Sequence, residues 1–157
     1  MSSQLSHFLS AVKKRESSFE EIDLSDLNAT NYEGENVLHL AVRWGDLQAT
    51  QELLQAGVNP NQHGDLGHTP LHEACIKGNL DMVKILVNAG ADLFALTEGH
   101  PPFTSARFSG HNEICDYLSI EMKAVMEKEQ QPYVRARIEQ LRREIGRLER
   151  QLNERGT

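Results

Sequence analysis

Thr69-Pro70-Leu71-His72-Glu73-Ala74, followed by Gly78-Asn79-Leu80-Asp81-Met82-Val83-Lys84-Ile85-Leu86 and Gly90-Ala91-Asp92, is the stretch that decides the fold. Read upstream, Gly67-His68-Thr69-Pro70-Leu71-His72 lies 33 residues after Gly34-Glu35-Asn36-Val37-Leu38-His39. The offset persists: Gly45 over Gly78, Leu53-Leu54 over Leu86-Val87, Gly57 over Gly90. A third copy, Gly99-His100-Pro101-Pro102-Phe103 through Ala106 and Gly110, follows at an offset of 32. A fixed period of this length marks a stacked repeat architecture.

The physics of one unit is readable residue by residue. Thr69-Pro70 opens a helix, because proline at the first helical position lacks an N–H that would be unpaired there anyway. Leu71, Ala74 and Cys75 form an apolar stripe at helical spacing. Gly78 ends that helix at a position suited to positive φ. Leu80, Val83, Leu86 and Val87 give a second helix its buried face, and Gly90 ends it. Ala41, Ala74 and Ala106 are small at equivalent positions, so neighbouring helices can approach closely. No unit buries its apolar face alone, so the units must stack.

These residues resemble the ankyrin repeat. The match is strongest in the second copy, good in the first, and degraded in the third, which has Phe103-Thr104 where the others have Leu-His. The resemblance implies an all-α solenoid of helix-turn-helix units with β-hairpin-like fingers. Residues 31–122 carry the repeats, and residues 1–30 read as a degenerate N-terminal capping repeat with apolar Leu9, Val12, Phe19, Ile22 and Leu24. Residues 123–131 are a helical linker. Residues 132–157 form a coiled-coil-like helix, whose Val134, Ile138, Leu141, Ile145, Leu148 and Leu152 recur at heptad spacing. Glu139–Arg143 and Glu144–Arg147 are placed to pair along it. A short helix with Gly146 inside it needs something to pack on. Self-association, a foreign helix and docking on the last repeat all remain open, since both homodimer registers bring like charges together.

The chain has 157 residues, 39% hydrophobic and 25% charged, with a net charge of −7. That composition excludes a disordered chain, and no apolar run is long enough for a membrane span. Residues 1–131 carry nine Lys/Arg and nineteen Asp/Glu, whereas residues 132–157 carry seven Arg and four Glu. An acidic body disfavours direct nucleic-acid binding and favours a basic protein partner. Two cysteines and no apolar block near the N-terminus point to a reducing compartment, the cytoplasm, or the nucleus in a eukaryote.

Chemistry-bearing motifs are absent: no phosphate loop, no G-x-S-x-G elbow, no H-E-x-x-H. No Cys or carboxylate spacing makes a metal site of His63, His68, His100 and His111. Cys75 and Cys115 read as small hydrophobes, and Glu20-Glu21 as solvated charge. Neither an enzyme nor a cofactor is expected. His39 and His72 share one repeat position, which in the resembled family ties the finger turn to the helix start. The resemblance implies that Tyr32, Glu33, Glu35, Arg43 and Trp44 face the concave groove in the first copy. Asp65, Leu66, His68, Ile76 and Lys77 do so in the second, and Thr97, Glu98, His100, Phe108 and Ser109 in the third. Trp44, Ile76 and Phe108 read as a row of apolar anchors across the three copies.

The leading reading is a non-catalytic interaction module for a protein partner, either an inhibitor masking a basic protein or a scaffold or adaptor oligomerised by its C-terminal helix. Two alternatives are a regulatory or targeting subunit of an enzyme and a histone-tail reader. For the second, the chain carries His68 where such readers have an aromatic residue and Ile76 where they have Asn.

Overall fold

The computed structural model describes residues 2–128 and, beyond them, residues 139, 142 and 143. The helices are α1 (Ser3–Arg15), α2 (Val37–Arg43), α3 (Leu47–Gln55), α4 (Pro70–Lys77), α5 (Leu80–Asn88), α6 (Pro102–Phe108) and α7 (residues 112–128). Short 3-10 turns occupy Ser17–Phe19 and Asp65–Gly67. Among the described residues there is no β-strand, so the fold is all-α, as the repeats require. The chain divides into two compact units, Met1–Leu118 and Ser119–Thr157.

In the first unit, α2 pairs with α3 and α4 with α5, while α2, α4 and α6 pack side by side. Leu38, Ala41, Leu71, Ala74 and Ala106 are fully buried between those inner helices. The buried face of α5 is Met82, Val83 and Leu86. The expected Leu80 and Val87 are only half-buried, because Leu80 begins the helix at its edge and Met82 takes the inward position. The caps follow the sequence closely. Asn36 and Thr69 begin α2 and α4, Pro70 stands at the first turn, and Gly78 closes α4 in the left-handed region at φ 74°.

The fingers differ from the expected hairpins. Two are closed across the turn by a backbone hydrogen bond, Asn31 N–H to the Glu35 carbonyl (2.9 Å) and Gly64 N–H to the His68 carbonyl (2.7 Å), with further bonds inside the turn such as Gly34 N–H to the Asn31 carbonyl (3.0 Å) and Gly67 N–H to the Gly64 carbonyl (3.1 Å). Only Thr97 and His100 make an isolated antiparallel bridge.

A second ladder runs through the inter-repeat loops. Asp26, Asn59 and Asp92, 33 residues apart, each accept from the N–H two residues on, at 2.9, 2.9 and 2.8 Å. Asn28 then reaches forward to the Asn59 N–H (2.9 Å), and Asn61 to the Asp92 N–H (2.7 Å). The third copy has Phe94 at that position, which has no acceptor, so the ladder stops there. The N-terminal unit therefore carries a full repeat loop. Its second helix, however, is reduced to the 3-10 turn that buries Phe19.

In the second unit, residues 119–128 are helical, with Lys123 and Glu127 paired at 3.8 Å. Arg143 Nε donates to the Glu139 carbonyl (3.3 Å), a backbone contact where a side-chain pair was expected. The apolar seam Val134, Ile138, Leu141, Ile145, Leu148 and Leu152 lies outside the described residues.

His39 and His72 couple each repeat to the next. His72 Nδ1 accepts from the Thr69 N–H (3.2 Å) and hydroxyl (2.8 Å), and its Nε2–H donates to the His100 carbonyl (3.2 Å). His39 accepts from the Asn36 N–H (3.2 Å) and donates to the His68 carbonyl (3.3 Å). For His72 this arrangement needs a lone pair on Nδ1 and a proton on Nε2, which is the neutral ring; His39 Nδ1 additionally lies 2.9 Å from the Asn36 Oδ1. Burial lowers both pKa values, pushing His72 down to about 4, with His68 and His63 adding repulsion. An unfolded imidazole takes up its proton near 6.5, while the folded one resists until about 4. Stability is thus complete above pH 6.5 and is lost as pH falls through that window, by about 3 kcal/mol for His72 alone. The imidazole nitrogen shifts of His72 should stay those of the neutral ring at pH 5 in the folded protein. A midpoint near 6.5 by NMR titration would contradict this bonding scheme.

Candidate functional site

The second and third fingertips stand in close backbone contact. A Cβ at Gly67 would lie 2.9 Å from the Leu96 carbonyl, so only glycine lets the second and third fingers close. Thr97 Oγ1 crosses the same gap and donates to the Leu66 carbonyl (2.9 Å). Gln62 Nε2 similarly donates to the Gly34 carbonyl (3.1 Å), linking the second finger to the first.

The tip geometry is strained. Leu66 and Glu98 occupy the left-handed region, at φ 52° and 49°, each followed by a glycine at φ 83°. Two successive positive φ values are normally given to Asn-Gly or Gly-Gly, because a branched side chain crowds its own carbonyl there. Leu66 accepts that cost while standing 64% exposed. An apolar residue both strained and exposed is a functional signal, since neither folding nor solubility asks for it.

Beneath the tips runs a chain of charge. Arg43 on α2 bonds the Glu35 carboxylate of its own finger and reaches Glu73 on α4 at 3.6 Å, and Lys77 stands 3.8 Å from the same carboxylate. Glu35 is buried and also bonds Asn31. Of the expected groove residues, Glu35 and Thr97 are therefore internal struts of the fingers.

The remaining residues divide into tips and helices. Tyr32 is 85% exposed at the first tip, and the neighbouring Glu33 carboxylate raises its phenol pKa. Asp65 and Leu66 form the second tip, Glu98 and His100 the third, all exposed. His68 is half-buried, its ring 5.4 Å from that of His72. On the inner helices Ile76 is 38% and Phe108 73% exposed, with the His100 ring edge-on to Phe108 at 5.8 Å. Lys77 and Ser109 are also exposed.

The family model described as ankyrin repeats (3 copies) matches this chain over residues 8–97 and again over residues 38–130. The chain belongs to the ankyrin-repeat family. It is 39% identical over 94 residues to the human Notch-regulated ankyrin repeat-containing protein, covering 57% of this chain and 82% of that relative. The zebrafish Notch-regulated ankyrin repeat-containing protein B is 35% identical over 105 residues, 64% of this chain and 95% of the relative. The ARF GTPase-activating protein Git of Drosophila melanogaster is 36% identical over 93 residues, 58% of this chain but 13% of the relative.

The repeat register also relocates Trp44. Counting back from Gly45, Gly78 and Gly110, Arg43 shares its ankyrin position with Ile76 and Phe108, while Trp44 shares one with Lys77 and Ser109. Trp44 is not in the apolar row. It is half-buried at the end of α2, its ring edge-on to Phe8 of α1 at 5.4 Å and under the Arg15 guanidinium at 5.5 Å. There it lines a cleft of about 370 Å³ with Gln4, His7 and Ala11. Preceding a glycine by one residue rather than two turns a side chain by about 100° on a helix, a difference that looks negligible in sequence. The ion chain Glu35–Arg43–Glu73–Lys77 and the strained Leu66 also escape sequence inspection; only the shared glycine after Leu66 and Glu98 hints at the tight turn.

Among the described residues, no group of three or more His, Cys, Asp or Glu side chains is placed to hold a metal ion, and no helix is long and apolar enough to cross a membrane. Cys75 is buried, which pushes its thiol up to about 12, with Cys115 adding to the effect.

Leu66→Asn should stabilise the fold by about 1 kcal/mol, since Asn tolerates the left-handed conformation and Leu66, 64% exposed, has little buried area to lose. Urea unfolding monitored by circular dichroism checks this. A loss of stability would mean the Leu66 side chain is part of the core.

Proposed function

We propose that this ankyrin-repeat protein is a non-catalytic interaction module that binds a basic protein partner through its concave face. Ankyrin repeats mediate protein–protein interaction. One observation carries the reading for this chain: Tyr32, Leu66 and Phe108 are 85%, 64% and 73% exposed on a scaffold whose own polar groups are engaged. Among the described residues no buried side-chain nitrogen or oxygen lacks a hydrogen-bond partner. Exposed aromatic and aliphatic side chains on a rigid, saturated frame have the makeup of binding hot spots. The acidic excess of residues 1–131 favours a basic client and supports fast association. The setting is cytoplasmic, or nuclear in a eukaryote, without direct nucleic-acid or membrane contact. The C-terminal seam provides a second contact surface, a weak homodimer, more readily antiparallel than parallel.

Immobilised full-length protein and its Leu66→Asn/Phe108→Ser variant should be compared in native extracts. The parent retains a basic protein that the variant loses about tenfold or more. Equal retention by both would place the partner site elsewhere. For the seam, sedimentation of the full chain should show a dimer that tightens as salt screens its like-charged flanks and that is lost on truncation after Gln131. A monomer at every concentration would remove self-association.

A further inference from the structure

The side of α2 that faces α1 carries a cleft with its own chemistry. One stripe of α1, Gln4, Phe8, Ala11 and Arg15, forms one wall, and Trp44 and Gln48 stand across it, around about 370 Å³. That volume lies within the range of about 300–1,000 Å³ that small-molecule pockets occupy. The buried Phe8 ring meets the Trp44 ring edge-on at 5.4 Å, so the cleft has an aromatic wall. Ala11 has only a methyl group to put into the space. Toward the start of α1, Gln48 Nε2 donates to Gln4 Oε1 and bridges the two walls.

The charges around the cleft are unequally engaged. Asp46 caps α3, its carboxylate accepting from the Ala49 N–H (2.9 Å). Glu52, further along α3, accepts from the Ser2 hydroxyl and from Gln48 Nε2 (3.2 Å). Arg15 is exposed and makes no hydrogen bond or ion pair among the described residues. Its guanidinium lies over the Trp44 ring, 5.5 Å from the centroid. Such stacking occupies a face of the guanidinium and leaves its edge, with five N–H donors, open. The Phe8–Trp44 contact already joins α1 to α2, and that packing gives no use to an unpaired fork of donors above the ring. A planar guanidinium held on an aromatic face is preorganised for a carboxylate, which takes two parallel N–H bonds from it. We propose that this cleft binds an apolar group carrying a carboxylate, either the C-terminal leucine or phenylalanine of another chain or a free small acid of the same form. The apolar part packs against Phe8 and Trp44, and the carboxylate takes the Arg15 fork. The concave face favours a basic client, so the two sites select different molecules.

Trp44 is the one tryptophan of the chain, so its emission and its indole N–H shift in NMR read the cleft directly. The full chain is titrated at constant ionic strength with N-acetyl-leucine, with its uncharged twin N-acetyl-leucinamide, and with acetate. N-acetyl-leucine should change both signals saturably and bind about tenfold or more tighter than either control. Arg15→Gln should bring the acid down to the affinity of the amide and leave the amide unchanged. Ala11→Leu, which puts a larger side chain into the space, should weaken both. Acetyl-Ala-Ala-Ala-Leu with a free C-terminus separates the two sources: tighter binding than N-acetyl-leucine assigns a chain terminus, and binding no tighter assigns a small acid. Equal affinity for acid and amide, no saturable change, or indifference to Arg15→Gln overturns the proposal. Should circular dichroism show either variant unfolded, the ratio of acid to amide affinity on the parent chain decides.

Discussion

An uncharged imidazole bridging the start of its own helix and the next finger is the constraint on which this fold depends. His39 and His72 each accept the N–H that opens their own helix and donate to a carbonyl in the next finger. One side chain thereby fixes both the start of a helix and its distance to the neighbouring repeat. Protonation removes the acceptor and puts a charge where burial disfavours it. The third repeat has Thr104 at this position and Phe94 at the end of the asparagine ladder. Both couplings that carry one repeat into the next therefore stop at the same unit.

The ion chain on the concave side works within that frame. Glu35 is buried because Arg43 and Asn31 satisfy it, and Arg43 spans two repeats by also reaching Glu73. Such a pair gives little net stability over an apolar substitute, but it fixes geometry. Here it holds the first finger against α2 and sets its orientation toward α4. The tips can then keep Tyr32 and Leu66 in water without collapsing onto the helices. Strain at Leu66 is tolerated for the same reason: Gly67, Thr97 and the Leu96 carbonyl leave the turn one conformation.

Periodicity made most of the architecture legible. The 33-residue offset, the prolines, the helix-ending glycines and the paired histidines name the repeats, their caps and their order. Less legible was anything that depends on rotation about a helix or on a single turn. Trp44 and Arg43 are adjacent in sequence, yet one faces α1 and the other the groove. Met82 displaced Leu80 from the core because hydrophobicity alone does not fix which residue begins a helix. Glu35 looked like a partner contact because its burial depends on Arg43, eight residues away. The loop ladder of Asp26, Asn59 and Asp92 was present in the same offset, but polar loop residues carry no amphipathic signal and are easily passed over.

Hydroxyl-radical footprinting of the protein, free and saturated with its captured partner, reads the concave face directly. Tyr32, Leu66 and Phe108 should lose reactivity on binding, while Trp44 in its cleft against α1 and Met126 in the second unit keep theirs. Protection confined to Trp44 or Met126, with the three fingertip and inner-helix residues unchanged, would contradict the assignment of this face as the binding surface.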